Sequence, residues 1–464
     1  MRLMQCLPFH ATGAIPTQSV FVTVFSAALL CALGANASAV ALEQTGQTQS
    51  APGQVPAARV KALYLTGWTV GLAARLEHYV ELANRTELNA YVVDIKDDDG
   101  YVGYESQVPL VREIKGWIPK YKVEPVIRAF HDNGIRVIGR VACFKDPVLS
   151  SKRTDLAIKD RTGKPWKDNK KRTWLDPYNP DAWAYLVDIA REGIRNGFDE
   201  IQFDYVRFAN DGPREQMVFD DKGKPRHQAI NAFLAYARLH MPEVVLSADV
   251  FGIICETPED QEGIGQYLEY VGCDVDHISP MAYPSHYALG QVVNGTQYAK
   301  PDLDPYGVVH NTLLKARRRT EPVQDYRAGI RPYLQDFTAT WLGGGNYQRY
   351  GAEQVRQQIK AVYDAGYEEW ILWNASNKYS ESAFLPEGAK HPAPKVIDNA
   401  RPKARPGAVA ASTLLSMPGR KSGKAAVLRA DDKASAPVKT AASTGSGKKG
   451  MKGSKKPRQA AAGN

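Results

Sequence analysis

Asp199-Glu200-Ile201-Gln202-Phe203-Asp204-Tyr205-Val206-Arg207-Phe208 reads as a β-strand. It is a short aromatic and β-branched run, entered from Asn196-Gly197 and left through Asn210-Asp211-Gly212-Pro213. Alternation puts Ile201 and Phe203 on one face and Gln202 and Asp204 on the other. A carboxylate ending an otherwise apolar strand is costly to bury without a partner. One reading makes Asp204 the structural ion-pair partner of Arg207. The other places it in a functional site, because active sites of closed parallel barrels lie at the C-terminal ends of the strands.

Outward from this stretch the pattern repeats. Short apolar runs occur at Ala62–Thr66, Ala90–Ile95, Ile135–Cys143, Glu200–Val206, Val244–Val250, Val275–Ala282, Ala328–Leu334 and Trp370–Trp373. Helical periodicity lies between most of them, at Leu72–Leu82, Ile118–Asn133, Pro180–Asn196, His227–His240, Ile264–Val271, Val308–Thr320 and Ala352–Ala365. Several of these helices close on glycine, as in Asn133-Gly134 and Ala365-Gly366. Eight strand–helix alternations predict an α/β fold, a (β/α)8 TIM barrel with long loops at its C-terminal face. An open doubly wound sheet would carry a glycine-rich nucleotide loop after its first strand. Thr66-Gly67-Trp68-Thr69-Val70-Gly71 has its glycines wrongly spaced for one.

The bulk properties fit a barrel with appendages. The chain has 464 residues, 44% hydrophobic and 23% charged, which are globular values. Its net charge is +9, but residues 401–464 hold fifteen Lys/Arg against two Asp, a net of +13, so the rest carries −4. Residues 1–39 read as an export signal, with an apolar run from Val20 to Leu33 and small residues at Ala35, Ala37 and Ala39. An uncleaved membrane anchor is the alternative. Residues 40–58 form a linker, 59–398 the barrel, and 399–464 a basic tail too poor in apolar residues to fold. The expected location is periplasmic or extracellular. Five scattered cysteines make neither a metal framework nor a disulfide scaffold, though one bridge is possible after export. No metal ligand set and no cofactor motif is read.

Strand parity selects the candidate site. Asp94 and Lys96 end strand two, Arg140 lies in strand three, Asp204 ends strand four and Asp249 strand five. Tyr283 follows strand six, Gln335 strand seven, and Trp373 and Asn374 strand eight; Tyr205 and Arg207 continue strand four. Paired carboxylates suit glycoside hydrolysis, where one stays ionised and the other holds a proton for the leaving oxygen. Like charges in proximity push one pKa up and so divide the roles. Tyr and Trp offer flat apolar faces with a polar edge for sugar.

Three motifs follow in order: Leu156-Ala157-Ile158-Lys159-Asp160-Arg161-Thr162-Gly163-Lys164, Trp174-Leu175-Asp176-Pro177-Tyr178-Asn179-Pro180 and Phe203-Asp204-Tyr205-Val206-Arg207-Phe208. With Val92-Val93-Asp94-Ile95-Lys96-Asp97-Asp98 and Ala248-Asp249-Val250-Phe251-Gly252, this set resembles the "putative glycosyl hydrolase domain" family of TIM-barrel proteins, over roughly residues 59–395. The resemblance implies a barrel and a carbohydrate substrate. A more distant similarity, to exopolysaccharide hydrolases, implies Asp204 as nucleophile or charge stabiliser and Asp249 as its partner. Those relatives often carry Glu on one strand, so Glu256, just past strand five, stands as the alternative acid.

The sequence therefore points to a glycosidase of a cell-surface or extracellular polysaccharide. The competing reading is an inactive barrel that binds glycan or cell-wall polymer. The tail suits anionic wall polymer or lipid headgroups. Lys/Arg runs also bind nucleic acid without specificity, but an export signal argues against that partner.

Overall fold

The computed structural model describes residues 59–388. The expected signal, linker and basic tail lie outside the described residues. Eight parallel strands make the barrel: β1 Lys61–Leu65, β2 Ala90–Lys96, β3 Arg136–Ala142, β4 Glu200–Asp204, β5 Val245–Phe251, β6 His277–Met281, β7 in two segments (Gly329–Ile330 and Tyr333–Gln335), and β8 Trp370–Trp373. Each pairs with its chain neighbours, and β8 returns to β1 through Ala62 opposite Ile371. The sheet is closed, as the strand count predicts. β7 is interrupted at Pro332, which has no N–H for the ladder.

The main outer helices are α1 Ala73–Arg85, α2 Val123–His131, α3 Pro180–Arg195, α4 Arg226–His240, α5 Leu268–Val271, α6 Pro305–Thr320 and α7 Ala352–Asp364. Two differ from the expected bounds. α2 begins at Val123 rather than Ile118, with Pro125 in its first turn, where a missing N–H is harmless. α5 shrinks to a single turn because Gly265 takes φ +82°, outside helical space. Gly139 in β3 and Gly193 in α3 both leave room for the Ile95 side chain. A Cβ on either would meet Ile95 Cδ1 at 2.3 or 2.4 Å. That contact seats α3 against the sheet.

Parity sorts the strand residues as expected. Leu63, Val93, Val137, Ile201, Phe203, Leu246 and Ala248 are buried on the helix side. Ala62, Tyr64, Val92, Ile138, Tyr333 and Ile371 fill the barrel interior. The interior also holds polar layers whose members pair with one another. At the N-terminal end of β4, fully buried Glu200 pairs with fully buried Arg331 and accepts from Ser247 Oγ at 2.7 Å. One layer up, Tyr333 donates to Gln202 at 2.7 Å, and Gln202 donates to Ser279 at 3.3 Å. Above that, at the C-terminal ends, lie the charged groups of the candidate site.

Candidate active site

Arg140, in the middle of the barrel mouth, bridges two carboxylates. Its Nε and Nη2 donate to Asp204 Oδ2 at 2.9 and 2.6 Å, and its Nη1 donates to Asp94 Oδ1 at 2.6 Å. Asp94 also accepts from the Tyr64 hydroxyl at 2.7 Å, and the Tyr64 ring lies beneath the guanidinium. β1, β2, β3 and β4 thus deliver one side chain each to a single network, because each points inward at the same level. Asp204 receives a further bond from the backbone N–H of Tyr205 at 2.5 Å. Tyr205 adopts φ +48°, an unusual conformation for a bulky residue that turns the chain sharply after the strand.

Asp249 lives in a different environment. It follows Ala248, which is opposite Phe203, so the register sets it beside Asp204 on the neighbouring strand. It is 2% exposed, and its Oδ1 is sealed without a hydrogen-bond partner among the described residues. Burial, reinforced by the charge of Asp204, holds its carboxyl well above the ordinary range despite Arg140 and Arg331. Asp249 is therefore built to keep a proton, whereas Asp204 is built to accept three donated hydrogen bonds. Paired titratable groups in divergent surroundings are how acid and base roles are separated.

Asp94 gives a direct test of this electrostatic picture. Burial pushes its pKa up to about 6, against the opposing pull of Arg140 and Tyr64. An unfolded Asp titrates near ~3.9. Between about pH 4 and about 6 the native chain holds a proton that the unfolded chain has lost, so stability falls as pH rises through that window. The full span corresponds to about 3 kcal/mol at ~1.4 kcal/mol per pH unit. Asp94→Asn should flatten the pH dependence of the melting temperature in that window, and a dependence identical to wild type contradicts the assignment.

Aromatic rings wall one side of the mouth. Trp373 lies 6.4 Å from Tyr64, 5.9 Å from Tyr283 and 5.4 Å from Phe337, between ring centres. Phe337 stacks on Trp341 at 5.9 Å, and Trp341 is 51% exposed. The wall thus leads from the carboxylates to an open indole face. On the other side, Lys145 pairs with Asp98 and lies over the Tyr205 ring. Burial would raise Asp98, but Lys145 and Arg140 outweigh it and hold its pKa at about 2.

The structure does not bring every expected residue here. Lys96 was expected beside Asp204. Instead its ammonium is fully buried, donating to the Ala142 carbonyl at 2.7 Å and pairing with Asp146 at 3.0 Å. The cause is a register irregularity between Asp94 and Lys96, which breaks the alternation. Arg207 makes no ion pair with Asp204; Arg140 takes that place. Glu256 accepts from the Asn294 backbone at 2.9 Å and lies 3.6 Å from Lys315, so it anchors the hairpin Gln291–Val293/Thr296–Tyr298. Gln335 is fully buried, accepting from Ser285 N–H and donating to Asp302, which ties two loops together. Asn374 donates to the Asp336 and Lys378 carbonyls and shapes a turn. Tyr64, Lys145 and Phe337 join the site without belonging to the set that strand parity selects from the sequence. Tyr64 carried a signal, since it shares the inward parity of Ala62.

Residues 62–379 match the family described as "Putative glycosyl hydrolase domain". The chain belongs to that family. The match runs from β1 to beyond β8, so it takes in the whole barrel and every residue of the mouth described above. Among solved structures, the glycoside hydrolase domain of PgaB (BpsB) from Bordetella bronchiseptica is 13% identical, covering 70% of this chain and 98% of its own, with a TM-score of 0.50. It shares the fold. A hypothetical protein from Ruminiclostridium thermocellum is 64% identical over 40% of this chain and 97% of its own, with a TM-score of 0.39. The spore cortex-lytic enzyme SleL of Bacillus cereus is 11% identical, covering 70% of this chain and 73% of its own, with a TM-score of 0.43. No curated protein matches the sequence. Membership of this family makes the barrel a glycosidase at the level of reaction class, with carbohydrate as its substrate.

Proposed function

We propose that this glycosidase cleaves a cell-surface or extracellular polysaccharide, with Asp204 as nucleophile or charge stabiliser and Asp249 as proton carrier. The observation that carries the reading is the contrast between the two carboxylates. Asp204 accepts three hydrogen bonds, two of them from a guanidinium. Asp249 has a sealed, unpartnered oxygen and favours the neutral form. As the glycosidic bond breaks, Asp249 gives its proton to the leaving oxygen and Asp204 meets the positive charge developing at the anomeric carbon. The Tyr64–Trp373–Phe337–Trp341 wall supplies faces for further sugars of the chain.

A second reading, a barrel that binds glycan or wall polymer without cutting it, is favoured by one observation. Asp249 is only 2% exposed, and a proton donor must touch the leaving oxygen. A panel of polysaccharides with reducing-end detection separates the two. New reducing ends from any member support hydrolysis; retention of a polysaccharide without new ends supports binding alone.

The export signal and the basic tail extend the proposal to location. The protein would act outside the cytoplasm, with residues 401–464 holding it on anionic wall polymer or lipid headgroups. Release from cell-wall material by salt is the observable, because exposed charges are screened.

A further inference from the structure

Arg207 is a buried cation that the chemistry above does not use. It lies just past β4, between Tyr205 and Phe251, and is 7% exposed. Its guanidinium sits 4.5 Å from the Phe251 ring centre, 5.1 Å from Tyr205 and 5.2 Å from Trp174. Phe251 is the next inward-facing residue of β5 after Asp249, so this aromatic cage stands at the barrel mouth. Nη1 donates to the Phe208 carbonyl at 3.0 Å and to Asn210 Oδ1 at 2.9 Å. Nε and Nη2 donate to no group among the described residues, and they are not sealed from solvent. No carboxylate among the described residues pairs with Arg207, although the fields of Asp204 and Asp211 reach it.

A nearly buried charge without a counter-ion is expensive unless something else compensates. Aromatic faces compensate in part. They leave the Nε–Nη2 edge empty, and that edge presents two parallel N–H groups matched to the two oxygens of a carboxylate. Arg140 turns the same pair of atoms on Asp204 in this same site. We propose that the Nε–Nη2 edge of Arg207 binds a carboxylate carried by the sugar chain, so that the substrate is an acidic glycan. The ring carboxylate of a uronic acid and a lactyl ether on an amino sugar both provide this group. Trp174, Tyr205 and Phe251 hold the fork in place and exclude water around the pair, which strengthens it.

This inference rests on the carbohydrate reading of the mouth, and binding tests it separately from turnover. The full chain carrying Asp204→Asn is titrated calorimetrically with hyaluronan oligosaccharides and with peptide-free peptidoglycan glycan strands. Each is compared with its carboxyl-reduced counterpart. The expected result is at least about tenfold tighter binding of one carboxylate form than of its reduced form, which is ~1.4 kcal/mol. Which form shows the preference identifies a uronate or a lactyl group. The preference should shrink with salt in the Arg207-containing protein, a readout that needs no further variant. It should vanish in Arg207→Met and survive in part in Arg207→Lys, with melting temperatures recorded for both. Equal binding of charged and reduced forms, binding of neither glycan, or a preference that persists in Arg207→Met overturns the proposal. Hydrolysis is scored apart: an acidic glycan bound but never cut by the protein with Asp204 intact removes the catalytic reading and leaves this one, whereas cleavage of neutral glycans alone does the reverse.

Discussion

Asp204→Asn should leave the fold and glycan affinity nearly unchanged and slow turnover by roughly a thousandfold or more. That is about 4 kcal/mol of barrier at ~1.4 kcal/mol per tenfold in rate. Asn is nearly isosteric with Asp. Turned toward Arg140, its side-chain oxygen keeps the two guanidinium bonds, while its NH2 replaces the oxygen that faced the Tyr205 N–H, so one of the three bonds is lost. What it lacks is the negative charge that meets an oxocarbenium-like centre, so the loss falls on the transition state rather than on binding. Calorimetric affinity and single-turnover rates on one glycan separate these quantities. Loss of fold in the variant would make Asp204 a structural ion-pair member. Unchanged turnover would move the chemistry elsewhere.

Arg140→Met should produce the largest loss of stability of any change in the mouth. The guanidinium is the shared counter-ion of Asp94 and Asp204, both largely buried. Removing it leaves two carboxylates in one low-dielectric space without compensation, and breaking a buried pair costs about 3–5 kcal/mol. Urea unfolding at neutral pH measures it. The deficit should be smaller at acid pH, because a proton on either carboxylate relieves the repulsion. Arg140→Lys keeps the charge but cannot serve two carboxylates with a planar fork, so it should fall between. A deficit that does not depend on pH would mean that the loss comes from packing and not from charge.

The parts of this site that were legible in the sequence are those governed by alternation. Asp94, Arg140, Asp204, Asp249 and Trp373 sit on strands, and a period of two fixes which way each points once the barrel is recognised. Alternation fails where the backbone departs from it. Lys96 follows a register irregularity and ends up facing Asp146 instead of the mouth. Beyond the strand ends there is no period to use. Gln335 and Asn374 spend their amides on loop carbonyls and N–H groups, which depends on loop paths that only tertiary structure defines. The pairing of Lys145 with Asp98 joins two loops far apart in sequence, and Trp341 joins the aromatic wall through Phe337 in the same way. Glu256 looked close to strand five by residue count. The turn at Gly252–Cys255 carries it away to Lys315 and Asn294.

The separation of roles between Asp204 and Asp249 is tested most directly by changing the leaving group. Aryl glycosides of the sugar that the polysaccharide panel identifies are compared in wild type and Asp249→Asn. A proton donor matters only when the departing oxygen is basic, and general acid catalysis contributes roughly 10²–10⁴-fold. Asp249→Asn is expected to cleave a dinitrophenyl glycoside within about tenfold of wild type, and a phenyl glycoside on the order of a thousandfold more slowly. The alkaline limb of the wild-type rate profile, lying above the ordinary carboxylate range, should disappear in the variant. An equal loss on both leaving groups, or no loss on either, would contradict Asp249 as the proton carrier.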